Sequence, residues 1–123
     1  MPHRILNVGQ CGPDHATISS YLTANCDCKV YLADGAEDTL AALKKAQYDL
    51  VLVNRKLDRD YSDGIEVIRQ IKADSELADV PVMLVTNYPE HQEAAIAAGA
   101  VRGFGKLEFG KAETLERLRG VLQ

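Results

Sequence analysis

Asp49-Leu50-Val51-Leu52-Val53-Asn54 is the stretch on which the fold turns. Four aliphatic residues follow one another with no polar residue between them. A strand with one wet face alternates apolar and polar positions, whereas a strand covered on both faces does not. Val82-Met83-Leu84-Val85 repeats the pattern further along, with Pro81 at the start of the run, where a missing N–H is tolerated. Both read as inner strands of a parallel sheet.

Outward from these, the candidate strands run Arg4 to Val8, Lys29 to Ala33, Asp49 to Asn54, Val80 to Thr86 and Val101 to Gly105. Helical patterns fill the gaps. Ile18, Tyr21 and Leu22 form an apolar stripe after Pro13-Asp14, a favourable helix start. Ala36, Leu40 and Leu43 form the second stripe, with Glu37 and Asp38 in its first turn. Ile65, Ile68 and Ile71 form the third, entered through Asp63-Gly64. The fourth, Pro89 to Ala98, is Ala-rich with a thin apolar face and stops at Gly99. Leu115, Leu118 and Leu122 mark the fifth. Strict βα alternation implies one parallel sheet with helices on both faces and right-handed crossovers. The expected architecture is a flavodoxin-like (βα)5 doubly wound sheet with strand order 2-1-3-4-5. Sites in such sheets lie beyond the carboxyl ends of the strands, so Gly9-Gln10, Asn54, Thr86 and Lys106 are the positions to read.

The 123 residues suit a single domain spanning residues 1–123 and suffice for a core without disulfides or metals. A formal net charge of -4 and the absence of a Lys/Arg run argue against nucleic acid as partner. No apolar stretch has the length of a membrane span, and Met1-Pro2-His3-Arg4 does not open a signal peptide. Three cysteines, Cys11, Cys26 and Cys28, are an odd number and fit free thiols in a cytoplasmic setting.

The chain resembles the response-regulator receiver family over essentially its whole length. Tyr48 to Val53 is similar to the family's third strand, whose next residue is the phospho-accepting aspartate. Asp63-Gly64 resembles the D-G that opens the third helix. Val80 to Thr86 resembles the fourth strand with its terminal Thr or Ser, and Ala97-Ala98-Gly99-Ala100 followed by Lys106 resembles the A-G-A…K segment. The resemblance implies a bacterial, two-component (phosphorelay) signalling domain, with no enzymatic activity of its own and a protein partner or output domain. It also implies a contact or homodimer face on helix 4, strand 5 and helix 5, where Tyr88, His91, Arg102 and Arg117 would lie.

The departures redirect that expectation. Gly9 and Gln10 stand where the family carries its acidic metal-binding pair, and Asn54 stands at the acceptor. An amide oxygen is a weak nucleophile, and Mg2+ prefers carboxylates, so both phosphorylation and the Mg2+ cofactor are expected to be lost. Gly9, Gln10, Asn54, Thr86 and Lys106 then form a vestigial pocket. Arg55 to Ser62 is about two residues longer than the usual loop by this comparison. Lys106 loses its usual partner, and Asp14, Asp58 or Glu108 are the carboxylates able to replace it. The aromatic residue used as a readout falls at Gly103, and Phe104, one step away, faces the other side as a core residue. The expected function is an interaction module independent of phosphorylation. The alternatives are a small-anion or metabolite sensor using the vacated pocket, and a receiver phosphorylated at a displaced aspartate.

Other signals are weaker. The three cysteines and the distant His3, His15 and His91 lack zinc spacing, leaving no metal site among them. Asp58-x-Asp60-x-x-Asp63-Gly64 has the wrong spacing for a calcium loop, and Arg69 stands where its closing Glu belongs. Gly9-Gln10-Cys11-Gly12 matches neither a P-loop nor a dinucleotide fingerprint.

Overall fold

The structure, a computed structural model, describes residues 2–122. In chain order the elements are β1 (His3–Val8), α1 (Gly12–Asn25), β2 (Cys28–Ala33), α2 (Ala36–Lys45) and β3 (Leu50–Asn54). Then come α3 (Gly64–Ala73), β4 (Val82–Val85), α4 (Pro89–Ala97), β5 (Val101–Phe104) and α5 (Ala112–Leu122). The strands form one parallel sheet in the order β2-β1-β3-β4-β5, the expected topology. Several strand ends differ from the sequence reading by a residue or two. β4 omits Val80, Pro81 and Thr86, although Pro81 O still accepts from Val51 N and Thr86 N donates to Phe104 O. Those residues stay extended but lie at the margin of the ladder.

The central strands are covered on both faces, which explains their unbroken apolar run. Leu6, Val8, Val51, Val53, Val82 and Leu84 pack with Leu43 of α2, Val67, Ile68 and Ile71 of α3, and Ala95 of α4. Ile5, Leu50, Leu52, Met83, Val85 and Phe104 meet Ile18 and Leu22 of α1 and Leu118 and Leu122 of α5. Phe104 is fully buried, as expected of a core residue. One polar residue interrupts the second face. Asn7 is fully buried, and its carboxamide nitrogen lies 3.1 Å from His15 Nδ1 on α1.

Helix starts follow local chemistry. Pro13 opens α1 and Pro89 opens α4. Asp63 caps α3 by accepting from Ile65 N at 2.9 Å. Gly64 is needed there, because a Cβ would strike the Asn54 carbonyl. Gly99, at φ +110°, ends α4 in the left-handed region. The cysteines are free thiols; burial pushes the Cys26 and Cys28 thiols up, away from the reactive thiolate.

Candidate functional site

The carboxyl ends of β1, β3, β4 and β5 bring Gly9-Gln10, Asn54, Thr86 and Lys106 to one end of the sheet. Asn54 is half-buried, and its carboxamide nitrogen donates to Lys56 O at 2.8 Å and to Gly9 O at 3.3 Å. The side chain is used as a donor toward two carbonyls. A carboxylate has no proton to give and cannot make either bond. Asparagine at this strand end therefore has a structural task that aspartate cannot perform.

The lengthened loop after β3 sets what covers Gly9. Leu57 N donates to Ser62 O, Tyr61 N donates to Leu57 O, and Lys56 bridges Asp63, so the loop closes on itself. Asp58 N donates to Gly9 O at 2.8 Å and pins the loop to the end of β1. Leu57, 2% exposed, is thereby driven down against Gly9. A Cβ on Gly9 would collide with the Leu57 side chain, and Gly9 sits at φ +77°, in the region that favours glycine. Gln10 is buried, and among the described residues neither end of its carboxamide finds a hydrogen-bond partner. An aliphatic side chain and a neutral amide thus occupy the carboxyl end of β1. Asp58 is exposed.

Lys106 does have a partner. Its Nζ donates to Asp14 Oδ2 at 2.7 Å, across 92 positions of sequence. That bond holds the Asp14 carboxyl below the usual carboxylate range, with a smaller contribution from Cys11 and against the opposing effect of burial. Glu108 is engaged elsewhere, accepting from Gly105 N at 2.8 Å.

Thr86 is buried and stands at the head of a chain of contacts. Arg55 Nε donates to His91 Nε2 at 3.1 Å, and His91 Nδ1 lies 3.4 Å from Thr86 Oγ1. Arginine can only donate, so His91 accepts at Nε2 and its neutral ring carries the proton on Nδ1, facing Thr86. Tyr88 N also donates to Thr86 Oγ1, at 3.3 Å. Beside this chain lies a cavity of about 280 Å3 lined by Asn54, Arg55, Lys56, Val85, Thr86, Asn87, Tyr88 and Lys106. A wider depression of about 820 Å3 opens at the opposite, amino ends of the strands, away from every residue above.

On the far side of Thr86, helix α4 is fastened into the sheet. Gln92 is 3% exposed; its nitrogen donates to Leu84 O at 3.0 Å and Thr86 O at 3.3 Å, and its oxygen accepts from Gly103 N at 2.9 Å. The pairing of β4 with β5 is irregular here: Met83 faces Val101 but Val85 faces Phe104, leaving one extra residue on β5. Gln92 supplies the acceptor that the bulged Gly103 amide lacks. A side chain on Gly103 would run into Leu84 O, so this position admits no aromatic residue without rearrangement.

Of the four positions expected on the helix 4–strand 5–helix 5 face, Tyr88 and Arg102 are exposed. His91 and Arg117 are half-buried and bonded inward, His91 to Arg55 and Arg117 to Gly103 O at 3.3 Å. Sequence reasoning missed Leu57, Gln92 and Arg55. Leu57 had a signal, a lone aliphatic residue in a run of charged ones. Gln92 and Arg55 had none, since a polar residue on a helix or loop ordinarily points to water. Among the described residues no group of three His, Cys, Asp or Glu side chains is placed to hold a metal ion, and no helix is long and apolar enough to cross a membrane.

Comparison with known proteins places this geometry in context. Residues 14–119 match the sequence profile of the response regulator receiver domain. The chemotaxis protein CheY-3 of Vibrio cholerae is 29% identical over 92 residues, covering 74% of this chain and 69% of that protein. A response-regulator structure from Chloroflexus aurantiacus superposes with a TM-score of 0.84 at 19% identity, over 99% of this chain and 98% of that one. The BeF3-activated N-terminal receiver domain of RstA from Klebsiella pneumoniae gives 0.81 at 22% identity, over 98% and 99%. At these identities the two structures speak for the fold.

Proposed function

Because the chain belongs to the response-regulator receiver family, we propose that it is a two-component signalling module that acts through protein contacts without being phosphorylated. Receivers generally signal to partner proteins or output domains and are not enzymes in their own right. The observation that carries the reading is the Asn54 carboxamide, donating to Gly9 O and Lys56 O. The acceptor position is occupied by a group that cannot form an acyl phosphate and is engaged in holding two loops together.

The residues present do not fit Mg2+. The ion favours anionic oxygens at near-octahedral geometry. Gly9 has none, Leu57 fills the space above it, and Gln10 and Asn54 offer neutral amides, the latter turned to carbonyls with its N–H2. Asp14, a further carboxylate at this end of the chain fold, is engaged by Lys106.

The Gln92 bonds support the same reading from the output side. Conformational signalling needs an element with two arrangements. Helix α4 and strand β5 are joined by one buried side chain serving both strands, which favours a single arrangement of the α4–β5–α5 face. Tyr88 and Arg102 are its exposed members and the first candidates for partner or homodimer contact.

Intact mass after incubation with acetyl phosphate and Mg2+ tests the proposal, with a phosphorylatable receiver as positive control. The expected result is no added phosphoryl mass. A single hydroxylamine-sensitive adduct would overturn it, and loss of that adduct in Asp58→Asn would locate a displaced acceptor.

A further inference from the structure

The cavity beside Asn54 is lined by three cationic residues, Arg55, Lys56 and Lys106, and by no acidic one. This stands out on a chain whose formal net charge is -4. Among the described residues Lys56 is exposed and in no ion pair, and Lys106 spends one of its three N–H donors on Asp14. Arg55 uses Nε on His91, which leaves its terminal nitrogens for other partners.

Thr86 adds a directed donor. Its oxygen takes a proton from the Tyr88 amide and faces the proton on His91 Nδ1. Both contacts use the hydroxyl as acceptor, so its own O–H is left to donate. The lining residues therefore carry a guanidinium, two ammonium groups and a hydroxyl proton. Arg55 is steadied by His91, which is in turn set against Thr86, so part of the ordering cost of binding is already met. Fixed donors around a partly enclosed space concentrate anions.

From this we infer that the cavity is a non-covalent binding site for a small dianion, a phosphate monoester or a dicarboxylate, held by Arg55, Lys56, Lys106 and the Thr86 hydroxyl. The volume, about 280 Å3, lies just under the range of about 300–1,000 Å3 usual for ligand pockets, which suits a small metabolite. Val85 and Tyr88 complete the lining and would face a short organic body attached to the charged head. No covalent step and no metal are involved. The inference goes beyond the docking function and does not rest on it: a ligand site and a phosphorylation-independent partner face can each exist without the other.

The test uses the full chain at constant ionic strength, titrated with glycerol 3-phosphate and with malonate, followed by calorimetry and backbone amide shifts. One saturable site is expected for at least one probe, with shifts centred on Lys56, Thr86, Asn87 and Tyr88. Lys56→Ala, at an exposed position, should weaken binding about tenfold, the effect of one charge-assisted bond. Lys29→Ala, a remote exposed lysine, should change it less than about twofold, within the small effect of distant screened charges. Whichever probe binds more tightly assigns the head group. The inference is overturned if neither probe saturates by about 10 mM, or if the shifts centre on the depression around His3 and Tyr48. It is also overturned if the two lysine variants weaken binding equally, which would mean bulk charge and no site.

Discussion

Placing an aspartate at position 54 should damage the protein and leave it inactive toward phosphate donors. In Asn54→Asp an oxygen replaces the nitrogen that now donates to Lys56 O at 2.8 Å and Gly9 O at 3.3 Å. Two hydrogen bonds disappear at about 0.5–1.5 kcal/mol each, and the new oxygen faces two carbonyl oxygens. Asn54 is half-buried, so water recovers part of the loss. Lys106, held 2.7 Å from Asp14, would divide its charge between the two carboxylates and offset the new one only in part. The net expectation is about 1.5–3 kcal/mol of destabilisation. Urea unfolding should show a lower midpoint with an unchanged slope. The melting midpoint of the variant should be the same with and without Mg2+, since a ligand shifts stability only if it binds. A variant as stable as the parent, or one that Mg2+ stabilises by several degrees, would refute the donor argument.

Three further outcomes follow from the same geometry. Gly9→Asp combines a left-handed backbone position with a collision against Leu57, so it should lose roughly 2–4 kcal/mol in urea unfolding and gain no Mg2+ affinity. Gln92→Leu leaves the buried Gly103 amide without its acceptor; about 2–4 kcal/mol of stability should go, and exchange of the Gly103 amide should accelerate markedly by NMR. Asp14 has a carboxyl held low by Lys106, so the stability it contributes is full above its unfolded value near pH 4 and declines as pH falls through the lower folded value. Lys106→Met should raise the Asp14 titration midpoint in an NMR pH series. Its effect on stability at neutral pH should be no more than about 1 kcal/mol, because the pair is substantially exposed.

Sheet order, helix placement and the burial of β3 and β4 were legible because each depends on local periodicity and on the topological rules of βα units. That Asn54, Gly9 and Gln10 lie at the carboxyl ends of β3 and β1 was legible as well, since strand ends fix their positions. What those residues do was less so. The Lys106–Asp14 bond spans most of the chain, and nothing near either residue selects the other over Asp58 or Glu108. Gln92 lies on a helix whose apolar face looked merely thin; the missing apolar residue is a glutamine because the strands beneath it present two carbonyls and an amide. Asn7 interrupts an apolar strand for a similar reason, the nearness of His15 on α1, which one-dimensional patterning does not carry.

The Leu57–Gly9 contact has a consequence for descent and for engineering. A phosphorylatable pocket would need an acidic residue at position 9, a backbone there outside the left-handed region, and a loop that no longer delivers a leucine onto it. Changing position 9 alone meets the leucine, and shortening Leu57 alone leaves a hole over the end of β1. Each first step lowers stability without returning any chemistry for selection to act on. On the proposed reading the contact acts as a ratchet: a phosphorylatable pocket and this one are separated by steps that cost stability, and exchanging the whole loop in one move is the route around them.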